Sequence, residues 1–386
     1  MKKKVIFFLS FLLLCMTGKI LWNCENVPAA VEVTGNETAE NILKDLELDE
    51  VQKMLNEMMG EDSFSLKQMA ADLIDGKEAL SAETIQKFLR TVLFNGLENE
   101  KSLLLKLILL MFLAAVFANC AEVFGNGQIG EISFYVVYLM IFILLMNSFK
   151  EMSASLEKII SWMTEFMRGL APAYFMAVSA ASGTASAAVF YEGVLILVWM
   201  IQWILLNVLL PGAGFYVLLE LVNNLSKEDM LDKLAELLNT AVSWGLKTLL
   251  GAAVGLQVVR NLVAPVMDSM KRGILGKAAG AIPAVGNAVN MVTELVLTSA
   301  VLVRNCLGVA ILVVFVVVGA GPVLHYGMLS LIYRLMAAVS QPVSDRRLVG
   351  AFSTMGEGCA LLLRILFTAE ILCMLAFIVL LAGFSG

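Results

Sequence analysis

The sequence has 386 residues, of which 59% are apolar and 16% are charged, and its mean hydropathy is +0.84. Soluble domains are about 45–50% apolar and about 25% charged, so this composition indicates an integral membrane protein rather than a soluble enzyme. His325 is the single histidine, which excludes the two-histidine H-E-x-x-H motif of metallohydrolases. The six cysteines form no C-x-x-C pair, so we predict no metal site and no disulfide framework.

The first residues have the pattern of a secretory signal sequence. Three lysines at positions 2–4 precede the apolar run Val5–Met16, which is too short to cross a hydrocarbon core of about 30 Å. Val27 and Ala29 occupy the small-residue positions before the predicted cleavage site. We therefore predict a signal sequence at residues 1–29. An uncleaved membrane anchor is the alternative.

Residues 30–102 are predicted to form an acidic helical region outside the cytoplasm. Positions 31–102 hold sixteen Asp and Glu residues against seven Lys and Arg residues, a net charge of −9, which argues against nucleic acid or anionic lipid as a ligand. Ser81 is placed to cap a second helix of this region. The apolar residues of the first part recur at helical spacing: Ile42, Leu43, Leu46, Val51, Met54, Leu55 and Met58.

Apolar segments follow one another closely after residue 102. Six are clear, and three others are richer in Ala, Gly and Ser. The clear ones are 103–123, 132–149, 193–222, 237–259, 305–324 and 361–382, and the others are 170–190, 282–303 and 325–340. Because a span needs about 20 mostly apolar residues, residues 103–386 are predicted to be a polytopic domain of six to nine spans. The predicted fold class is all-α, a membrane helical bundle with a small acidic helical head.

Three amphipathic segments alternate with these spans, near 153–168, 226–242 and 345–360. In the first of them, Leu156 and Met163 share an apolar face opposite charged residues. Two interpretations are open: helices that lie in the membrane interface, and short soluble helices between spans. In the predicted domain organisation, the three segments are helices that lie in the membrane interface.

Three Gly/Pro clusters interrupt the apolar stretches. They are predicted to kink or break the helices, because proline removes a backbone donor and glycine relaxes the chain. Backbone groups freed at membrane depth must face protein or a wet cavity, so these clusters are candidate conduit positions; turns between short spans are the alternative. The candidates are Pro211 and Gly212, then Pro283, Gly286 and Asn287, and then Pro322.

Ionisable residues inside apolar stretches are a second class of candidates, because charge is costly in lipid. Most of them lie near segment ends, where long side chains reach the surface. Glu294 and Glu370 are predicted to be interior, and Arg304 is retained as a further candidate. Paired charges in packed helices are the alternative to a conducted pathway. No catalytic, metal-binding or cofactor-binding residue is predicted, since the G-x-G-x-x-G match at 125–130 joins two membrane helices rather than a strand and a helix.

Several short stretches, taken together in this order, resemble the stage III sporulation protein AE family of endospore-forming bacteria. The stretches that carry the resemblance are Phe166–Pro172, Ala180–Gly183, Leu221–Ser226, Ile282–Gly286, Arg304–Gly308 and Gln341–Arg347. The resemblance covers essentially the whole chain. None of these stretches has a known chemical role in the family.

The resemblance implies a function that periodicity does not show. It implies a multi-pass protein of the mother-cell-derived membrane around the forespore, made with companions from one operon. The implied partners are the membrane, ring and ATPase proteins of that operon, the lipid bilayer, a forespore protein that docks from the opposite side, and further copies of the chain. The implied role is that of a non-enzymatic subunit of a secretion-like channel that sustains forespore development. The alternative is a stand-alone permease for a small solute.

Overall fold

The computed structural model describes residues 32–46, 48–59, 64–77, 127–182, 195–225, 230–275, 286–342 and 344–382, and further helical positions at 101, 104–109, 112 and 116. These ranges are helical and contain no strand, as the sequence predicted. We number the helices α1 (Glu32–Asp45), α2 (Asp49–Met59), α3 (Leu66–Ile74), α4 (Gly127–Ser182), α5 (Leu195–Leu225), α6 (Asp232–Leu275), α7 (Gly286–Ser340) and α8 (Arg346–Ala382).

Helices α1–α3 lie within residues 30–102, the region predicted to be an acidic head, and we keep the name head for them. Leu43, Val51 and Leu55 are buried in its core, in agreement with their helical spacing. The side chain of Gln52 ties α2 to the start of α3, because it donates to the carbonyl oxygen of Phe64 and accepts from the amide of Leu66, both at 2.9 Å. The second helix predicted at Ser81 lies outside the described residues.

The head packs on the long helices. Helices α1 and α3 contact α7, and α2 contacts α4. The indole Nε1 of Trp162 donates a hydrogen bond of 3.0 Å to the carbonyl oxygen of Met54. Gly169 gives α2 room, because a Cβ atom there would lie 3.3 Å from the sulfur of Met54. The small core of the head is therefore extended by the surfaces of α4 and α7.

The long helices run in alternating directions. Tyr138 of α4 donates to the carbonyl oxygen of Leu221 of α5 at 2.7 Å, and Gln202 donates to Ser161 at 3.5 Å, so α4 and α5 are antiparallel. Tyr326 of α7 donates to the carbonyl oxygen of Met152 at 2.8 Å. Helix α8 contacts α4, α5, α6 and α7 and is the centre of the bundle.

Four helical segments of the described chain are long and apolar enough to cross a membrane: Phe134–Leu170, Leu195–Leu225, Thr298–Ser340 and Arg346–Ile378. The sequence predicted six to nine spans. Of the clear apolar segments, 103–123 lies largely outside the described residues, and 237–259 lies within α6, which is not among the four. Spans beyond four stay a prediction.

The helices continue through two of the predicted breaks. Segments 305–324 and 325–340 form one helix, α7, with Pro322 inside it, so the division predicted between them is wrong. Residues 211–214 are also helical, and a π-helical turn at Leu205–Leu209 ends two residues before Pro211. Proline has no N–H to donate to the carbonyl oxygen four residues earlier, and position 207 lies inside this π-helical turn. The third cluster, at 279–285, lies outside the described residues.

The amphipathic segments are parts of longer helices rather than separate short ones. Segment 153–168 is the middle of α4, and 345–360 forms the first half of α8. The apolar residues of the first, Leu156 and Met163 among them, are buried against protein. The position of these segments relative to the membrane surface stays a prediction.

Candidate functional site

A row of polar contacts follows α8 where it packs against α5, α6 and α7. We call this set the polar seam, and it joins helices that are otherwise held together by apolar packing. Its members are Tyr216, Asn224, Ser243, Gly319, Ser330, Thr354, Gly356, Glu357, Arg364 and Glu370.

The first turns of α8 carry one end of the seam. The side-chain nitrogen Nδ2 of Asn224 donates to Thr354 Oγ1 at 3.0 Å and to the carbonyl oxygen of Glu220 at 2.8 Å. Gly350 lies directly against Asn224, and a Cβ atom at position 350 would overlap the Asn224 side chain. Glycine is therefore required there for α5 and α8 to approach this closely.

The middle of the seam contains a tyrosine–carboxylate contact. The hydroxyl group of Tyr216 donates to Glu357 Oε2 at 2.6 Å, and Ser330 Oγ donates to the carbonyl oxygen of Gly356 at 2.7 Å. One turn of α8 is thus bonded to α5 and to α7. Further along, Arg364 donates to Ser243 Oγ of α6 at 3.5 Å.

Glu370 lies at the far end of the seam and is 8% exposed. The sequence predicted an interior charge that would need a partner on another helix. The structure places its carboxyl group against Gly319 of α7, where a Cβ atom would overlap it. Among the described residues, Glu370 has no ion pair. The cluster Gly319–Pro322 therefore provides space for a carboxyl group within a continuous helix.

Arg304 is more buried than the sequence indicated. It is 2% exposed in α7, and its guanidinium group donates to Asn305 Oδ1 at 3.3 and 3.2 Å. From the sequence, most ionisable residues of the apolar stretches lie near segment ends, where a long side chain can reach the surface. Helices α1 and α3 pack on α7, and contacts between such distant segments are not revealed by a local sequence pattern.

The remaining candidates are not brought together by the described residues. Pro211 is exposed on α5, and the neighbouring Gly212 packs against Val242 of α6. Pro283 lies outside the described residues. Gly286, Asn287 and Glu294 are helical residues of α7 whose side chains are outside the described part.

One contact missed by the sequence analysis lies at the α8 N-terminus. The guanidinium group of Arg347 stacks 3.9 Å from the ring centre of Phe134, and it pairs with Asp345 at 3.3 Å. Asp345 also accepts from the amide of Arg347 at 2.9 Å, as an N-terminal cap does. The sequence Asp345–Arg347 could have indicated the cap, but not the ring that α4 provides.

The described residues contain no cluster of metal ligands, and the crevice that they form between α4, α5 and α8 is apolar. No group of three or more His, Cys, Asp and Glu residues among them can hold a metal ion. A narrow crevice between α4, α5 and α8 is almost entirely apolar. Its polar residues bond elsewhere: Thr164 donates to the carbonyl oxygen of Ile160, and Gln202 donates to Ser161. Solute sites usually combine an apolar lining with convergent free polar groups.

The sequence profile of the family described as "Stage III sporulation protein AE (spore_III_AE)" matches residues 64–383. This chain belongs to the stage III sporulation protein AE family. The resemblance read from the short stretches is confirmed. A curated family member, "Stage III sporulation protein AE" of Bacillus subtilis (strain 168), is 25% identical over 315 residues, which cover 80% of this chain and 79% of the relative. No solved structure matches the chain.

The family match includes the whole polar seam and excludes α1 and α2 of the head. Two stretches that carried the resemblance, Leu221–Ser226 and Gln341–Arg347, meet at the same end of the bundle. Tyr138 donates to the carbonyl oxygen of Leu221 there, and Arg347 stacks on Phe134, which lies four residues, about one turn, before Tyr138 on α4. In this member of the stage III sporulation protein AE family, the stretches hold helix ends together.

Proposed function

We propose that this protein is a non-enzymatic integral membrane subunit of a secretion-like channel between the mother cell and the forespore. The observation that carries the proposal is the family match over residues 64–383, since the family is named for stage III of sporulation. Four apolar helices long enough to cross a membrane agree with a membrane role. We further propose that the chain resides in the mother-cell-derived membrane around the forespore.

The proposed topology places the acidic head outside the cytoplasm, as a signal sequence implies, with six to nine spans in the whole chain. The head packs near Trp162 and Gly169, so this end of α4 is then the outer one. The opposite end, with the α7–α8 turn at 341–345, faces the mother-cell cytoplasm. Arg346 and Arg347 follow this turn, which agrees with the excess of basic residues on the cytoplasmic side of membrane proteins.

The proposed role is structural, and the polar seam supports it. Its hydroxyl, amide and carboxyl groups bond to one another and to backbone across helix interfaces. In lipid, contacts of this kind hold helices together. The proposed partners are the membrane, ring and ATPase proteins of the same operon, further copies of this chain, and indirectly a forespore protein.

The decisive experiment is a purification of the tagged full-length chain from sporulating cells, with identification of every bound protein. We expect companion sporulation proteins, at levels far above those from a matched strain carrying an untagged chain. A stand-alone permease would instead be recovered without companions, and the purified chain alone would move a solute across vesicles. Recovery without companions, together with such flux, would overturn the proposal.

A further inference from the structure

The outward surface of α4 changes character halfway along the helix. Its exposed residues share one helical face throughout. In the first half this face is apolar, with Ile132, Val136, Leu139, Met140 and Ile143 all exposed. In the second half it is polar and charged. We call the exposed residues Asn147, Lys150, Glu151, Ala154, Ser155, Glu157 and Lys158 the charged face of α4.

The charged face lies beside the middle of a candidate span, as the contacts of α4 with α5 show. Tyr138 is level with Leu221, and Ser161 is level with Gln202. Whichever 20 residues of α5 (Leu195–Leu225) lie in the hydrocarbon core, residues 206–214 are among them. Gly214 faces Phe149 of α4, since a Cβ atom at position 214 would lie 3.9 Å from its ring.

Lys150 and Glu151 directly follow Phe149 and therefore share the depth of Gly214. The outward face of α5 at this depth is apolar, with Trp203, Val208 and Phe215 at least half exposed. One surface of the bundle at this level thus suits lipid, and another carries charge. The two surfaces require different surroundings.

The charges of this face are not neutralised within the described residues. Lys150, Glu151, Glu157 and Lys158 form no salt bridge with another described residue. From residue 147 to 158 the face extends about 16 Å along the helix, at about 1.5 Å per residue. The four charges run from Lys150 to Lys158, about 12 Å, in a hydrocarbon core of about 30 Å. The short side chain of Glu151 therefore cannot bend to the membrane surface that Glu157 and Lys158 approach. Exposed charge at this depth needs water or protein around it.

We propose that the charged face of α4 borders a water-filled space inside the membrane, as the wall that this subunit contributes to a conduit. This inference rests on the proposed function and specifies where the subunit lines the channel. Water is the occupant because the face carries two lysines and two glutamates, Lys150 and Glu151 before Ala154 and Ser155 and Glu157 and Lys158 after them, and the two small residues leave room. With no net charge, such a wall suits polar solutes of either sign.

The test is the rate at which introduced cysteines react with a charged, membrane-impermeant thiol reagent. Ala154→Cys and Ser155→Cys place the thiol on the charged face without removing a charge. Val208→Cys on α5 is the control at the same depth, and Val136→Cys is the control on the apolar half of α4. Membranes come from sporulating cells with all companions present. The unsubstituted chain gives the blank, and labelling after detergent denaturation gives the total.

We expect the cysteines at 154 and 155 to react at least tenfold faster than those at 136 and 208. Equal rates at all four positions, or no reaction at 154 and 155, would overturn the inference, because the face would then be in lipid or packed on protein. The proposed function fails by a different result: normal sporulation of a strain that lacks the gene. Failure of the inference is seen in the labelling rates of the cysteine variants, whereas failure of the proposed function is seen in the sporulation of the deletion strain. The two failures are therefore distinguishable.

Discussion

The hydroxyl group of Tyr216 donates a hydrogen bond of 2.6 Å to a carboxylate oxygen of Glu357, and this contact joins α5 to α8. Tyr216 is 4% exposed, so its hydroxyl group has little access to another partner. One turn before Glu357 on α8, Thr354 accepts a second hydrogen bond from α5, donated by the side chain of Asn224. Two candidate spans are therefore held in one register by polar contacts at two levels.

Replacement of Tyr216 by phenylalanine should destabilise the bundle without creating a cavity. Loss of a hydrogen bond to a partly exposed carboxylate costs about 1–3 kcal/mol. We expect a lower midpoint of thermal unfolding for the purified chain in detergent. Glu357→Gln is the matched control, because its amide oxygen still accepts the hydrogen bond and should preserve more of the stability. An unchanged midpoint for Tyr216→Phe would show that the contact does not hold α5 to α8.

Replacement of Gly319 by alanine should disturb the contact with Glu370. The added Cβ atom would overlap the carboxyl group, and overpacking of this kind typically costs about 1–3 kcal/mol. We expect less folded protein in the membrane and a lower unfolding midpoint. Glu370→Ala in the same chain should restore both, since it removes the group that the new methyl meets.

Gly251 of α6 provides the control for this substitution. Apart from the backbone of α6 itself, no described residue lies within 4 Å of a Cβ atom built at Gly251 or Gly255. Alanine in a helix is favoured over glycine by up to about 1 kcal/mol, so Gly251→Ala should not destabilise the isolated chain. Equal losses for Gly251→Ala and Gly319→Ala would show that the Glu370 contact is not the cause.

Much of the helical architecture could be predicted from periodicity. The head residues Leu43, Val51 and Leu55 have helical spacing and are buried together. The joining of 305–324 to 325–340 could not be predicted, because proline and glycine are read locally as breaks. Helix α7 is continuous through Pro322 and packs against neighbouring helices. These contacts join segments that are distant in the sequence, so a local pattern does not show them.

The candidate site was predictable to a smaller extent. Glu370 was identified from its charge within an apolar stretch, and it is buried as predicted. Tyr216 and Asn224 were not among the candidate site residues, because tyrosine and asparagine in an apolar segment carry no spacing signal, although Asn224 lies in a stretch that carries the family resemblance. Their roles depend on which residues α8 presents to α5, such as Thr354 and Glu357. Only the helix packing defines those pairs.

Replacement of His325 by alanine should leave sporulation largely intact. The imidazole ring packs edge-on against Tyr326, with ring centres 5.6 Å apart, and no metal cluster is present among the described residues. The proposed structural role needs no proton transfer at this position. The measurement is the frequency of heat-resistant spores, with immunoblotting to verify protein level. A strong loss of spores at a normal protein level would contradict the non-enzymatic assignment.

The last prediction concerns the docking of the head at Gly169. A Cβ atom there would lie 3.3 Å from the Met54 sulfur and 3.7 Å from a methyl group of Val51, so a leucine side chain has no room. We expect Gly169→Leu to displace α2 and to speed the removal of the head by protease added to intact protoplasts. Gly169→Ala is the graded control, because the flexible Met54 side chain can yield to one methyl group. Equal cleavage rates for the leucine variant and the parent would show that the head does not depend on this contact, and full protection of both would place the head inside the cytoplasm.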